Sequence, residues 1–186
     1  ELVGIIDWRV AQCEKLDVCI RTNTWAEAPD VLAENPDVVI IATGGMPNTE
    51  FLEAGDDLAV TTWDIISGAV KPAENVLLFD DNGGQAGLQA AEFIAEAGSK
   101  LEIFTPERFF APDVGGLNHV PYAQCFEKHD VTITLNQRLT SIRRDGNGLV
   151  AVIGSDYSDL VREQRIDQVV VEHGTLPLDE LYFDLK

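Results

Sequence analysis

Basic residues are scarce in this chain: 13 Lys and Arg stand against 32 Asp and Glu, for a net charge of −19. Nucleic-acid binding needs a basic footprint, so that deficit argues against it. It also disfavours docking on anionic membranes. No run approaches the roughly 18 consecutive apolar residues of a membrane helix. The three cysteines, Cys13, Cys19 and Cys125, form no CxxC and share no metal-ligand spacing with a histidine. Reduced thiols in a cytoplasmic protein are the simplest account, and no metal site is expected. The opening Glu1-Leu-Val-Gly4 carries neither a start methionine nor a secretory signal. The chain is therefore expected to be a piece of a longer protein.

Catalytic constellations are missing as well. His119, His129 and His173 are scattered without an acid or cysteine at a fixed offset. Ser67, Ser155 and Ser158 lack a nucleophile elbow, so hydrolase chemistry has no support and no catalytic residue is assigned. Trp8, Trp25, Trp63 and the Phe109-Phe110 pair read as core or interface rather than as flavin-stacking residues.

What is present is a repeat. Asp37-Val-Val-Ile-Ile-Ala-Thr-Gly-Gly-Met-Pro47 returns as Asp167-Gln-Val-Val-Val-Glu-His-Gly-Thr-Leu-Pro177. An apolar, β-branched run that breaks at Gly and then Pro reads as a buried strand entering a loop. Such loops are where open α/β sheets bind ligands. His173 stands where the first copy has Thr43.

Between the copies the clearest element is residues 75–106. Val76-Leu-Leu-Phe79 reads as a strand and Asp80-Asp-Asn-Gly-Gly-Gln-Ala-Gly87 as a turn. Leu88, Ala91, Phe93, Ile94 and Ala97 form the stripe of a helix that Gly98 ends. Leu101-Glu-Ile-Phe104 resumes as a strand, which makes a right-handed βαβ crossover. Elsewhere helices are expected over 4–14, 26–34, 62–68 and 119–129, with a weak strand over 17–22 and the first buried strand over 38–42. Strands over 131–134 and 139–143 lead to a hairpin at Gly146-Asn-Gly148 and its return strand over 149–153. Residues 162–165 are too polar for core, and 169–171 are the second buried strand.

The fold class expected is α/β, a Rossmann-like three-layer FAD/NAD(P)-binding domain with a β-meander, plus fragments of a second dinucleotide-binding half. Residues 1–50 would be a piece of the FAD-like half, 51–166 an NAD(P)-like domain, and 167–186 a closing strand and return.

A dinucleotide turn of the GxGxxG type needs one glycine for the bend, one for backbone approach to pyrophosphate and one for helix packing. Here the three places are Asn82, Gly84 and Gly87, so the first glycine is replaced. Asn tolerates the left-handed region, and the bend can survive. Asp80 and Asp81 end the strand beside the phosphate place. A carboxylate about 8 Å from a phosphate costs roughly 2 kcal/mol at an effective dielectric near about 20, unless it points away. After the next strand, Glu107 could take a ribose hydroxyl or Arg108 a 2′-phosphate. The residues expected to face a cofactor are Asn82, Gly83, Gly84, Gln85, Gly87 and Glu107. Thr43, Gly44, Gly45 and Gly174 join them at the two strand ends. Loss of nucleotide binding is the favoured reading.

These residues resemble a known family. Ala42-Thr-Gly44 after its apolar run looks like the ATG motif of flavoproteins with two dinucleotide-binding domains. Asp167 through Gly174-Thr-Leu-Pro177 looks like the matching later element. With Thr105-Pro-Glu-Arg-Phe-Phe-Ala-Pro112, the chain resembles the C-terminal region of multidomain NADH:flavin oxidoreductases that carry an Old Yellow Enzyme-like barrel. That group includes 2,4-dienoyl-CoA reductase and trimethylamine dehydrogenase, and the likeness is nearest to N-methylproline and dimethylglycine demethylases. The resemblance implies a parent that oxidises a secondary or tertiary amine, with FMN and a four-iron four-sulfur cluster in a barrel outside these residues. FAD, ADP or NAD(P)H are further candidates, none of them certain within this piece. A first GxGxxG before Glu1 and a Gly-Asp flavin motif after Lys186 are also implied. The partners implied are the barrel domain and an electron-transfer protein, with a homo-oligomer left open. An enoate-type reductase with a working NAD(P)H turn and a non-catalytic docking scaffold are the alternatives.

Overall fold

The computed structural model describes residues 3–186; Glu1 and Leu2, on which part of the reading of the opening residues rests, lie outside the described residues. In chain order the elements are α1 (Val3–Lys15), α2 (Ala28–Ala33), β1 (Gly45–Pro47), β2 (Val60–Thr61), α3 (Thr62–Ser67), β3 (Asn75–Asp80), α4 (Gln85–Glu96), β4 (Lys100–Thr105), α5 (Gly116–Lys128), β5 (Thr132–Leu135), β6 (Arg138–Asp145), β7 (Gly148–Ser155), β8 (Ser158–Ile166), β9 (Gln168–Glu172), β10 (Thr175–Pro177) and α6 (Glu180–Leu185). They divide into two compact units, residues 3–43 with Leu178–Lys186, and Gly44–Pro177.

The first unit holds α1, α2 and α6. Pro29 sits in the first turn of α2, where its missing N–H costs nothing, and the Glu27 N–H donates to the Asp30 carboxylate at 3.1 Å. The strands expected over 17–22 and 38–42 do not form. Val38 and Ile40 are 77% and 87% exposed. An apolar run becomes a strand only beside another strand that takes its N–H and C=O groups. Among the described residues this unit contains no strand to do so.

The second unit is built on the expected crossover. β3, α4 and β4 form where the sequence places them, and Gly98 takes the left-handed conformation (φ 90°) just past α4, but Phe93 and Ala97 of the expected stripe are exposed and Ala90 and Ala95 are buried in their stead. The sheet order is β2-β9-β3-β4-β5, with β9, β3, β4 and β5 paired in parallel. Alternate side chains of β3 face opposite layers. Val76 and Leu78 pack with Leu88, Ala91, Ile94 and Phe126 under the helices. Leu77 and Phe79 pack with Leu139, Ile142, Ile153 and Val169 under the antiparallel meander β6-β7-β8. This is the three-layer α/β architecture with a β-meander. The polar segment over 162–165 is not core but does form strand, in β8 on the meander's outer edge.

Of the aromatic residues read as core or interface, Phe110 is buried, whereas Trp8, Trp25, Trp63 and Phe109 are exposed. Both Gly-x-x-Pro loops of the repeat lie in the second unit and pair with each other. β1 runs antiparallel to β10, with Gly45 opposite Pro177 and Pro47 opposite Thr175.

The strand order fixes where a ligand crevice can lie. From β3 the chain steps one way to β4 and β5, and on the other side of β3 lie β9 and β2. The carboxyl ends of β3 and β9 therefore flank a topological switch point.

Candidate functional site

Asp80 closes β3 and is fully buried. Its Oδ1 accepts the N–H groups of Asn82 (2.9 Å) and Gly83 (3.0 Å), so the carboxyl folds back into the turn that follows it. Its Oδ2 has no hydrogen-bond partner among the described residues. A β-carbon on Gly87 would lie 1.9 Å from that oxygen. The third glycine thus makes room for a carboxyl group in addition to letting helix approach strand. Burial pushes the Asp80 carboxyl up to about 7. The two amide bonds pull it down, and the nearby carboxylates of Glu172 and Asp81 push it further up.

Asn82 does not use the left-handed region; Gly83 does, with φ 71°. The Asn82 side chain instead donates to Glu172 Oε1 at 3.0 Å. Buried Glu172, at the end of β9, also accepts from the Thr62 hydroxyl and from the Gly174 N–H (3.3 Å). The place of the first glycine is therefore a crosslink between the two strand ends.

Asp81 turns to the other side. It lies 2.6 Å from His173 Nδ1, which donates to it, and 3.4 Å from the Arg138 guanidinium. Arg138 forks onto Asp156 through Nε (3.1 Å) and NH2 (2.9 Å). Bidentate geometry makes this the strong kind of ion pair, and it holds the guanidinium above its ordinary range and the Asp156 carboxyl below. The His173 ring lies on Phe51, with centroids 4.2 Å apart.

Asp81 is held by His173 and Arg138, whereas the Asp80 carboxyl abuts the first turn of α4 at Gly87. That end has Gly84 as its N-cap, no capping side chain and no acid in the first turn. The pairing of Asp81 answers the electrostatic objection for that residue, whereas Asp80 stays at the helix start and adds a steric and hydrogen-bonding one. Two of the turn's amides, those of Asn82 and Gly83, already serve Asp80. A pyrophosphate would have to rely on the helical amides beyond Gly84. The residues present do not fit a complete dinucleotide turn.

The remaining expected residues are dispersed. Glu107 and Arg108 are exposed after β4, and the Glu107 carbonyl accepts the Asn136 N–H at 3.3 Å. Gly45 belongs to the ribbon, where a β-carbon would lie 2.5 Å from the Leu176 carbonyl oxygen. Gly44 is left-handed (φ 72°) with open space around it. The Thr43 hydroxyl donates to the Leu178 carbonyl within the first unit. Gly174 (φ 68°) lies beside the Asn82 side chain.

Glu172, Thr62, Phe51 and Arg138 were not singled out by the sequence as site residues. An acid ending an apolar strand was a readable sign for Glu172. Arg138 comes from the meander and left no local sign. Outside this cluster, Cys125 shares a 4.8 Å neighbourhood with Glu92 and Glu96. Burial first, then both glutamates, push its thiol up and disfavour the thiolate a metal would need. No helix among the described residues is long and apolar enough to cross a membrane.

No protein-family model matches the chain. It is 59% identical over its whole length to the probable N-methylproline demethylase of Rhizobium meliloti, of which it covers 27%. It is 37% identical over 193 aligned positions to the N,N-dimethylglycine/sarcosine dehydrogenase of Chromohalobacter salexigens, covering all of this chain and 28% of that protein. Among solved structures, a 2-naphthoyl-CoA reductase superposes with a TM-score of 0.80 at 28% identity, over 99% of this chain and 27% of its own. The chain thus spans a little over a quarter of the length of the relatives it matches. The family works with flavin or nicotinamide cofactors. In sequence and in its three-layer fold, the chain is thus similar to one region of multidomain flavoproteins of the NADH:flavin oxidoreductase type, the group that includes these amine demethylases and dehydrogenases.

Proposed function

We propose that the chain is the nucleotide-domain-type accessory region of a flavin-dependent enzyme that oxidises, and so demethylates, a secondary or tertiary amine. On this reading the 186 residues carry no catalytic activity of their own, and the glycine turn is vestigial as a nucleotide site. Identity of 59% along the entire chain to a probable N-methylproline demethylase carries the proposal. The turn supports it, because Asp80 occupies the amides of Asn82 and Gly83. An amine dehydrogenase that passes electrons to a protein acceptor has no need of a nicotinamide donor. The FMN and a four-iron four-sulfur cluster belong, on this reading, to a barrel outside these residues, and the protein to the cytoplasm. FAD or ADP are candidates for the other dinucleotide-type half.

Calorimetric titration of the chain with NADH and with NADPH tests the reading. No binding at millimolar nucleotide is expected. Micromolar affinity for either would overturn the vestigial turn.

A second reading, an NAD(P)H-binding domain of an enoate-type reductase, is favoured by one observation. Asp81 is engaged by His173 and Arg138, and the first turn of α4 itself carries no acid. Micromolar NAD(P)H affinity in the same titration supports it. A third reading, a docking scaffold for an electron-transfer protein, rests on exposed acids such as Glu50, Glu53, Asp56 and Asp57. Association that does not weaken with salt would count against it.

A further inference from the structure

The sequence holds two Asn-Gly peptides, Asn82-Gly83 and Asn147-Gly148. An Asn side chain followed by glycine is open to attack by the next backbone nitrogen, because glycine puts no β-carbon in the way and leaves the peptide free to turn. The fold restrains the two peptides very differently. After β3 the reacting atoms are tied to separate partners: the Asn82 amide donates to Glu172 Oε1 at 3.0 Å, and the Gly83 N–H donates to Asp80 Oδ1 at 3.0 Å. Gly83 is buried, and its carbonyl accepts the Asp113 N–H at 3.1 Å. The Gly83 nitrogen cannot swing onto the Asn82 side chain without breaking these contacts together. At the tip of the β6–β7 hairpin the situation is reversed. Asn147 is exposed between two glycines, and among the described residues no hydrogen bond holds its side chain. Gly146 before it is left-handed (φ 62°) with open space around it. Gly148 after it sits on the last rung of the ladder, opposite Asp145, where strand pairing frays first.

We propose that Asn147 is a site of spontaneous modification, its side-chain amide lost to give aspartyl and isoaspartyl residues, while the fold shields Asn82 from the same reaction. The Gly148 nitrogen gives up its proton to solvent and attacks the side-chain carbonyl carbon of Asn147. The new C–N bond closes a five-membered succinimide, and the bond to the side-chain nitrogen breaks as ammonia leaves with a proton from solvent. Water then opens the ring. Cleavage at the side-chain carbonyl restores the backbone with an aspartate. Cleavage at the backbone carbonyl leaves the chain running through the side chain, one methylene longer. In sum an amide and a water become a carboxylate and an ammonium ion, with no change of oxidation state. Either product adds a negative charge beside Asp145, and the isoaspartyl one lengthens the two-residue turn that Asp145 and Gly148 close. Neither flavin nor nucleotide enters the reaction.

Incubation of the whole chain in mildly alkaline buffer, folded and in urea, with peptide mass spectrometry over time, tests it. The mass gain of amide-to-acid conversion is expected in the peptide carrying Asn147. That gain separates the reaction from isomerisation of Asp145, which leaves the mass unchanged. In the folded chain Asn147 is expected to convert within about threefold of its rate in urea, and Asn82 at least about tenfold more slowly than its own rate in urea. Gly148→Ala, read in urea where folding plays no part, is expected to slow conversion at Asn147 and to leave Asn82 as it was. Greater slowing of Asn147 by the fold, lesser slowing of Asn82, or indifference of Asn147 to Gly148→Ala overturns the proposal.

Discussion

The unpartnered Oδ2 of Asp80 fills the space that a β-carbon on Gly87 would occupy, 1.9 Å from its ideal position. A glycine that sequence motifs assign to helix packing is here the other half of a buried carboxyl site. Gly87→Ala is therefore expected to destabilise the chain by about 2 to 3 kcal/mol, as overpacking of a buried site does. Asp80→Ala in the same chain removes the clashing oxygen. The double variant is expected to recover at least about 1 kcal/mol of the sum of the single losses. Urea denaturation of the four proteins measures this, and strict additivity would show that the two residues do not share the space.

Asp80 also sets a pH dependence of global stability. Its folded value is raised from the ordinary 3.8 to about 7. Between those limits the unfolded chain gives up a proton that the folded chain keeps. The contribution is thus fully present below about pH 4, declines as pH rises, and is gone above about pH 7. At about 1.4 kcal/mol per unit the loss reaches at most about 4 kcal/mol. Asp80→Asn is expected to remove this decline and to be the more stable protein at about pH 8. Thermal melts of both proteins across the range decide it; parallel curves would exclude Asp80 as the source.

The sequence carried the scaffold of the second unit because that scaffold is local. The apolar run over 76–79, the helical spacing of Leu88, Ala91 and Ile94 and the stop at Gly98 each state their own period and boundary. It misplaced the run over 38–42 because a strand is a property of two segments, and among its described residues the first unit supplies no second one. The site was legible only in its covalent neighbours. Asp80, Asp81 and Asn82 were in view, but where each side chain points depends on Glu172, His173 and Arg138. Those residues are brought in by β9 and the meander. Two acids next to a phosphate place read as repulsion; in the fold one is sequestered and the other is paired.

Asp81 is predicted to matter for stability more than for ligand affinity. Asp81→Asn leaves the His173 ring nitrogen and the Arg138 guanidinium short of their shared acceptor. The expected loss is about 1 to 2 kcal/mol, at the level of a charge-assisted bond that is partly accessible. NAD(P)H affinity is expected to change by less than about threefold, because the carboxylate is already engaged by His173 and Arg138. A large gain in affinity in Asp81→Gly without loss of stability would favour the reductase reading.

The last prediction concerns the ribbon that joins the two copies of the repeat. Gly45 stands opposite Pro177, and a β-carbon there would come within 2.5 Å of the Leu176 carbonyl oxygen, a backbone atom that cannot swing aside. Gly45→Val must therefore part β1 from β10. The five-stranded sheet does not depend on that pairing, since β9 is held by β3 and β2 on its two sides. The two consequences should separate. Protease cleavage near Met46 and Leu176 is expected to accelerate at least about tenfold, while the cooperative melt of the sheet shifts by little. If the ribbon and the sheet instead melt together, the Gly-x-x-Pro loops are part of one cooperative core. If neither changes, the close approach at Gly45 is not required for pairing.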